Sequence, residues 1–250
     1  PVSWAGPGRY RDPGVRFEDL PPIDAVLVSH NHYDHFDTPT LARLALQHEP
    51  RILAGLGSRA ILEEEEITGG EDLGWWQKIR LTDHVTVTAV PAQHWSRRGI
   101  GDTKNTLWAG FVIEGPAGPV YFSGDTGWGP HFEQIRERFG PMRVALLPIG
   151  AFKPRWFMKQ MHISPEEAVD AARVLEAEVT VPIHWGTFKL GDDGQDEPPA
   201  VLHAYLALID DAPTFMQLGF GEGRSLPPTA PPTVIAQDDP GDDQAGTVRQ

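Results

Sequence analysis

One short segment, residues 29–35 with the sequence SHNHYDH, restricts the function of this chain more than any other. It holds three imidazoles and one carboxylate, which are ligands of zinc and of other first-row divalent metals. The apolar residues 25–28 before it predict a buried strand, along which alternate side chains point to the same side. Thr38 and Pro39 after it predict the N-cap and the first position of a helix. We therefore expect a metal site between a strand and a helix, rather than a chance group of histidines.

The composition excludes several classes of partner and site. The 250 residues include 35 acidic and 21 basic side chains, with a net charge of −14, so we expect no nucleic-acid partner. The chain has no cysteine, which excludes disulfides and thiolate-ligated zinc. No apolar run reaches the ~18 residues that a membrane-spanning helix needs, and we expect a cytoplasmic protein.

The chain is predicted to form one domain over residues 1–226. Residues 227–250 are predicted to be a disordered acidic tail, because Pro, Thr, Asp and Gly replace the apolar residues there. Helices are predicted at residues 39–47, 58–67, 132–139, 165–177 and 200–209. The sequence Ser164-Pro165-Glu166-Glu167 predicts a capping box at the start of the helix at 165–177. Strands are predicted at residues 25–29, 51–54, 84–90, 107–113, 120–122, 144–148 and 179–183.

Four of the predicted strands run into residues that can bind metal. These residues are His30, His94, Asp125 and His184. Strand ends are rigid positions at which ligands from distant segments can meet. With the rest of the first cluster, the candidate ligands are His30, His32, Asp34, His35, His94, Asp125 and His184. This set exceeds the needs of one four-coordinate ion and suits two metals that share a carboxylate.

The pattern H-x-H-x-D-H, followed by His, Asp and His at long spacings, resembles that of the metallo-β-lactamase fold hydrolases. More narrowly, the chain resembles the N-acyl-phosphatidylethanolamine-hydrolysing phospholipase D group and its bacterial relatives. The segments that carry this resemblance are HNHYDH at 30–35, PAQHW at 91–95, GDTG at 124–127, PIGA at 148–151, PRWFM at 154–158, PEEA at 165–168 and HWGTF at 184–188. The resemblance implies an α/β fold, the αββα sandwich with two mixed sheets between helices.

The resemblance also implies how the ligands divide between two metals, expected to be Zn²⁺ or other first-row divalent ions. One metal takes His30, His32 and His94, the other takes Asp34, His35 and His184, and Asp125 bridges them. A hydroxide held between the metals would be the nucleophile, because the ions lower the pKa of bound water. Asp34 would orient this hydroxide, and the metals would neutralise charge on the phosphoryl oxygens of a phosphodiester.

The chain departs from the family pattern in two places. Family members begin with additional strands, including a Gly-His hairpin, ahead of the position that matches Pro1. We therefore expect that N-terminal sequence is missing and that this chain lacks the N-terminal strands of the sandwich. Animal members carry Gln before the residue that matches His162, whereas this chain has Met161.

The segment from residue 148 to residue 165 has no acidic side chain but contains Lys153, Arg155 and Lys159. These cations either attract an anionic substrate or pair with carboxylates from elsewhere in the chain, and both interpretations remain open. For Arg97 and Arg98, which follow His94 closely, we favour pairing with carboxylates.

Other side chains near the ligands are candidates for substrate contact. Trp156, Phe157 and Met158 are predicted to lie in a loop and to contact a lipid. Tyr33, inside the ligand segment, is a further candidate. His162 is predicted to be catalytic, giving a proton to the leaving group or holding the phosphate, and the alternative is a helix-entry residue bonded to backbone.

We therefore predict a dinuclear metal-dependent hydrolase. The expected activity is that of a phosphodiesterase of phospholipase D type, acting on N-acyl-phosphatidylethanolamine-like lipids with peripheral membrane contact. The first alternative is a lactonase or another ester hydrolase on the same metals. The second is a non-catalytic metal-dependent binding protein. The oligomeric state is not determined by these patterns.

Overall fold

Two β-sheets lie at the centre of the computed structural model, which describes residues 6–226. The first sheet is parallel, in the order β1 (Ala25–Val28), β2 (Arg51–Gly55) and β3 (Gly70–Leu73). The second sheet is mixed, in the order β4 (Lys78–Arg80), β5 (Thr86–Val90), β6 (Gly110–Glu114), β7 (Val120–Phe122), β8 (Val144–Pro148) and β9 (Val179–Ile183). The predicted tail at 227–250 lies outside the described residues.

Six α-helices flank these sheets in the described part of the chain, which also has a short 3₁₀ helix at Phe17–Asp19. The α-helices are α1 (Thr38–His48), α2 (Ser58–Glu64), α3 (His131–Phe139), α4 (Arg155–Met158), α5 (Pro165–Val174) and α6 (Glu197–Leu206). The predicted capping box of α5 is confirmed, with Ser164 accepting from the backbone of Glu167. The predicted N-cap of α1 was wrong by one residue. Asp37 is the cap because its carboxylate accepts a bond from the Thr40 backbone, and Thr38 lies in the helix.

Alternate side chains along the strands face two different apolar layers. In the first sheet, Val28 and Ile52 face α1 and α2, whereas Leu53 and Leu73 face the second sheet. In the second sheet, the side chains that face away from the first sheet pack against α3, α5 and α6. This layer joins the sheet residues Val112, Tyr121, Ala145 and Leu147 to the helix residues Phe132, Ile135, Val169 and Leu202. The layers are therefore helix, sheet, sheet and helix, which confirms the predicted αββα sandwich. The first sheet was predicted to be mixed, but its described strands are all parallel.

The topology of the second sheet places three ligand-bearing strand ends at one edge. Strands β5 and β7 are both antiparallel to β6, so they run in the same direction as each other. Strand β9 shares this direction, because β7, β8 and β9 are parallel. His94, Asp125 and His184 follow the carboxyl ends of these three strands, and that edge holds the candidate site.

Candidate metal centre

The first group of ligand atoms comes from the ends of β1 and β5. The Nδ1 atom of His32 lies 2.8 Å from Nε2 of His30 and 3.3 Å from Nε2 of His94. His30 and His94 are both buried, and His32 is partly buried. Three ring nitrogens thus converge on one point, an arrangement that could hold a metal ion.

Contacts outside this group orient two of its three rings. The Nδ1–H of His94 donates to the Met161 carbonyl oxygen at 2.9 Å, which leaves Nε2 with a free lone pair facing the group. On the other ring, Nδ1 of His30 lies 3.0 Å from the Ser29 hydroxyl. Neither the role of Ser29 nor that of the Met161 carbonyl was indicated by the sequence, although Ser29 directly precedes a candidate ligand.

The second group joins the ligand segment to the ends of β7 and β9. The Nε2 atom of His35 lies 3.1 Å from one oxygen of Asp34 and 3.1 Å from one oxygen of Asp125. The Nε2 atom of His184 lies 3.3 Å from the other oxygen of Asp125 and 3.6 Å from Asp34. The ligand atoms of these four residues all lie within 4.8 Å of one another, so this group could hold a second metal ion.

The backbone around His184 is shaped by close packing. His184 has a φ of +59°, which turns the chain immediately after β9. Its carbonyl oxygen packs against Gly150, and a Cβ atom at that glycine would collide with it. A glycine after β8 therefore allows the ends of β8 and β9 to approach each other beside the site.

Asp125 is the residue that faces both groups. Its Oδ2 atom lies 3.8 Å from Nε2 of His30 and 3.8 Å from Nε2 of His94, in addition to its contacts with His35 and His184. His162 approaches the same oxygen, with its Nδ1 atom at 4.0 Å. Asp125 thus occupies the position that a shared carboxylate would need.

Several of the buried ligand atoms have no hydrogen-bond partner, which favours a bound cation. Within the described residues, Oδ1 of Asp125, Nε2 of His35 and Nε2 of His184 are buried without a hydrogen-bond partner. Burying such atoms without a partner costs free energy, and a divalent ion facing them would satisfy them. The donor set of imidazoles and carboxylates without thiolates suits zinc or another first-row metal.

Burial and charge set different protonation states in the two groups. Burial lowers the pKa of His94 to about 3 and lowers that of His30 well below its usual value, so both rings are neutral near pH 7. Burial also acts on His35, but the carboxylates of Asp125 and Asp34 outweigh it and raise the pKa of His35 to about 10. Without metal, the second group therefore contains a protonated imidazole beside two carboxylates.

Metal binding to the second group is expected to release a proton near pH 7.5. His35 must become neutral to act as a ligand, and its raised pKa means that it is protonated below about pH 10 in the metal-free protein. Metal affinity should therefore rise with pH across the neutral range. Calorimetric titrations in buffers of different ionisation enthalpy measure the released protons. His35→Gln should release fewer protons than the wild type, because only His184, whose pKa is also raised by Asp125 and Asp34 despite its burial, then remains to lose one. An enthalpy of the wild type that does not depend on the buffer would contradict the expectation.

The structure pairs two of the predicted substrate-binding cations with carboxylates. Lys153 forms an ion pair with Glu197, and Nη2 of Arg155 donates to Glu167 at 2.8 Å. The alternative interpretation from the sequence therefore describes both residues better than anion binding does. Instead, Nη1 of Arg155 donates to the carbonyl oxygen of His162 at 2.8 Å, which holds the backbone of that histidine.

The predicted apolar contacts divide into exposed and buried side chains. Trp156 is 81% exposed and Phe157 is 56% exposed, so both remain available to a substrate or a membrane. Met158 is buried, and the predicted loop is the short helix α4, so Met158 is a packing residue. Tyr33 is 41% exposed, and the guanidinium of Arg98 lies 4.3 Å from the centre of its ring.

A cleft that the sequence did not indicate opens beside the second group. It has a volume of about 130 Å³ and begins at Asp34 and His184. Its other walls are Trp185, Thr187, Phe188 and Leu190. The only sequence signal for these residues was their position directly after His184, a candidate ligand.

The chain matches a known sequence family and several curated proteins. Residues 2–185 match the sequence family described as Beta-lactamase superfamily domain. The N-acyl-phosphatidylethanolamine-hydrolyzing phospholipase D 1 of Caenorhabditis elegans is 38% identical over 200 residues, covering 76% of this chain and 56% of that protein. The mitochondrial protein of the same name from Saccharomyces cerevisiae is 34% identical over 199 residues, covering 77% of this chain and 42% of its own length. The chain thus spans about half the length of these relatives.

Among solved structures, a metallo hydrolase from the archaeon Ignicoccus hospitalis has the same fold. It superimposes with a TM-score of 0.63 at 22% identity, covering 83% of this chain and 82% of that one.

Proposed function

The chain belongs to the beta-lactamase superfamily, and from this premise we propose that it is a dinuclear metal-dependent hydrolase of phosphodiester lipids. The observation that carries the proposal is Asp125, whose carboxylate faces both groups of ligand atoms. Relatives at 34–38% identity are named as N-acyl-phosphatidylethanolamine-hydrolyzing phospholipases D, which supports a phosphodiester substrate.

The proposed ligands divide as the two groups of atoms divide in space. One Zn²⁺ would take His30, His32 and His94, the other would take Asp34, His35 and His184, and both would share Asp125. When bound, such ions lower the pKa of water and neutralise charge on phosphoryl oxygens. The pKa of Asp34 is lowered because His184 and His35 outweigh its burial, so this carboxylate is ionised at neutral pH. Asp34 can then accept a hydrogen bond from the attacking water and orient it.

We propose that His162 holds the substrate phosphate. Burial lowers its pKa to about 4, so the ring is a neutral hydrogen-bond donor at pH 7 rather than a charged acid. Its Nδ1 atom is buried without a partner and faces Asp125, and its backbone is held by Arg155. Of the two catalytic roles open from the sequence, contact with a phosphoryl oxygen fits this neutral ring better than proton donation.

The proposal is tested by metal analysis followed by a substrate panel. The purified protein should contain close to two equivalents of divalent metal. It should also hydrolyse N-acyl-phosphatidylethanolamine and a generic phosphodiester, and removal of metal by a chelator should abolish both activities. Turnover of lactones alone would replace the phosphodiesterase proposal with the lactonase alternative. A metal-loaded protein that hydrolyses none of these substrates would favour a binding protein.

We further propose that α4 contacts the surface of a lipid bilayer. Trp156 and Phe157 are exposed aromatic side chains in the segment that leads to His162, and the exposed Lys159 beside them suits lipid phosphates. Within residues 6–226, no helix is long and apolar enough to cross a membrane. Contact would therefore be made by these side chains at the surface, close to the proposed site of hydrolysis.

Replacing Trp156 and Phe157 together with alanine should weaken binding to vesicles of N-acyl-phosphatidylethanolamine and phosphatidylcholine. We expect vesicle affinity to fall about tenfold, because two alanine side chains bury less apolar surface in the bilayer than Trp156 and Phe157 do. A tenfold loss corresponds to ~1.4 kcal/mol of binding free energy. Co-sedimentation with vesicles measures the loss. Leu46→Ala is the matched control, since Leu46 is 87% exposed but lies on α1. Equal binding by the double variant, the control and the wild type would refute the contact.

A further inference from the structure

Arg98 connects the two loops that supply the first group of ligand atoms. It follows His94 by four positions, yet its side chain reaches the ligand segment at residues 30–35. Its Nη1 atom donates to the carbonyl oxygen of Phe36 at 2.8 Å and lies 3.4 Å from that of Asn31. One guanidinium nitrogen thus faces carbonyls on both sides of His32, Asp34 and His35.

The ring of Tyr33 adds a third contact to the same guanidinium, whose carbon lies 4.3 Å from the ring centre. The contacts of Arg98 therefore span the whole turn in which three candidate ligands lie. This turn has few hydrogen bonds of its own, such as those from His35 and Phe36 to the His32 carbonyl. Its shape depends correspondingly more on contacts from outside.

The backbone of Arg98 is itself held in place. Its N–H donates to Oδ2 of Asp102 at 3.0 Å, and the N–H of Gly99 donates to the same oxygen at 2.7 Å. The guanidinium is therefore presented from a closed turn rather than from a free loop. Because a planar guanidinium can donate to carbonyls and stack on a ring at once, lysine could not reproduce these contacts.

We propose that Arg98 is a positioning residue that sets the metal affinity of the site by holding the ligand segment in its binding conformation. It does so without contacting metal or substrate. The inference rests on the metal-binding role proposed above, but not on the identity of the substrate. Without Arg98, the turn would relax in the metal-free protein. Metal binding would then have to order His32, Asp34 and His35, and the cost of that ordering would lower the metal affinity.

The test measures zinc affinity directly, by competition with a chromophoric chelator, in Arg98→Ala, Arg98→Lys and Arg97→Ala. We expect zinc affinity to fall about 10–100-fold in Arg98→Ala, as is usual when a partner of metal ligands is removed. Arg98→Lys should lose nearly as much, because charge alone is not sufficient. Arg97→Ala is the matched control and should bind zinc normally, since the side chain of Arg97 is exposed and bonds only to the Gly99 carbonyl among the described residues.

A second readout distinguishes positioning from catalysis. At saturating zinc, Arg98→Ala should recover the kcat and KM of the wild type. Unchanged zinc affinity in both Arg98 variants would overturn the inference, as would a raised KM at full metal occupancy, which would indicate substrate contact. If Arg98→Ala does not fold, as judged by thermal melting in excess chelator, Arg98→Lys alone decides the question. Zinc binding that depends on Arg98 in a protein without phosphodiesterase activity would defeat the proposed function and leave this inference standing.

Discussion

Replacing Asp125 with alanine is expected to remove metal from both groups and to abolish hydrolysis. Asp125 is the only carboxylate among the described residues whose oxygens lie within 4 Å of ligand nitrogens in both groups. Its loss therefore removes a ligand from each metal. It also removes the buried negative charge that would offset the repulsion between two neighbouring cations. We expect metal affinity to fall by more than the ~10–100-fold that follows loss of an outer partner.

Metal content by elemental analysis and the rate of phosphodiester hydrolysis measure this effect. Asp125→Asn keeps the shape and one carbonyl oxygen but not the charge, so it should retain part of the metal and little activity. Asp170→Ala is the control for loss of a carboxylate, because Asp170 is exposed on α5. Two full equivalents of metal in Asp125→Ala would show that the two groups do not share this residue.

Replacing His162 with glutamine is expected to lower kcat about 10²–10³-fold while both metals remain bound. This is the usual loss when one preorganised donor to a developing charge is removed. His162 is outside the seven proposed ligands, and its ring nitrogen faces the site without a partner in the described residues. Metal content should therefore stay at the wild-type value, whereas loss of metal would place His162 among the ligands.

The pH dependence separates the two possible roles of His162. An imidazole with a pKa of about 4 is neutral from pH 5.5 to pH 9. If His162 acts as a neutral donor, its ring therefore adds no titration to the pH profile of kcat in this range. If His162 instead acted as a charged acid, activity would be lost as pH rises through that value, and little would remain at pH 7. The pH profiles of kcat for the wild type and His162→Gln should accordingly be parallel. His84→Gln, at an exposed histidine, is the control.

Many of the strands and helices could be predicted from local sequence patterns. The alternation of Val85, Val87 and Ala89 with threonines predicted β5, and the Ser164 capping box predicted the start of α5. The short strands β3 and β4 were missed because Gly70–Leu73 and Lys78–Arg80 lack an apolar alternation that would distinguish them from loops. Their pairing with β2 and β5 supplies the stabilisation that their own sequences do not show.

The interaction partners of the cationic side chains could not be predicted from local sequence patterns. Lys153, Arg155 and Arg98 lie in sequence close to ligands, and their charge alone is compatible with substrate binding, carboxylate pairing or contact with backbone carbonyls. Their partners, Glu197, Glu167 and Phe36, are 12 to 62 residues away in the chain. Long flexible side chains reach whichever acceptor the fold brings near, so sequence proximity does not predict their contacts.

The sequence by itself determined which chemical groups are present and that they follow strand ends, because strand alternation and helix capping depend on neighbouring residues. It therefore indicated the donor types and many of the strands and helices, whereas the sandwich was implied by the family resemblance. The tertiary structure alone decided that His32 presents Nδ1 while His30 and His94 present Nε2, that Asp125 lies between the two groups, and that Arg98 and Arg155 hold site-bearing backbone. These features depend on the distances between segments far apart in the chain, and such distances are set only when the sheets and helices pack.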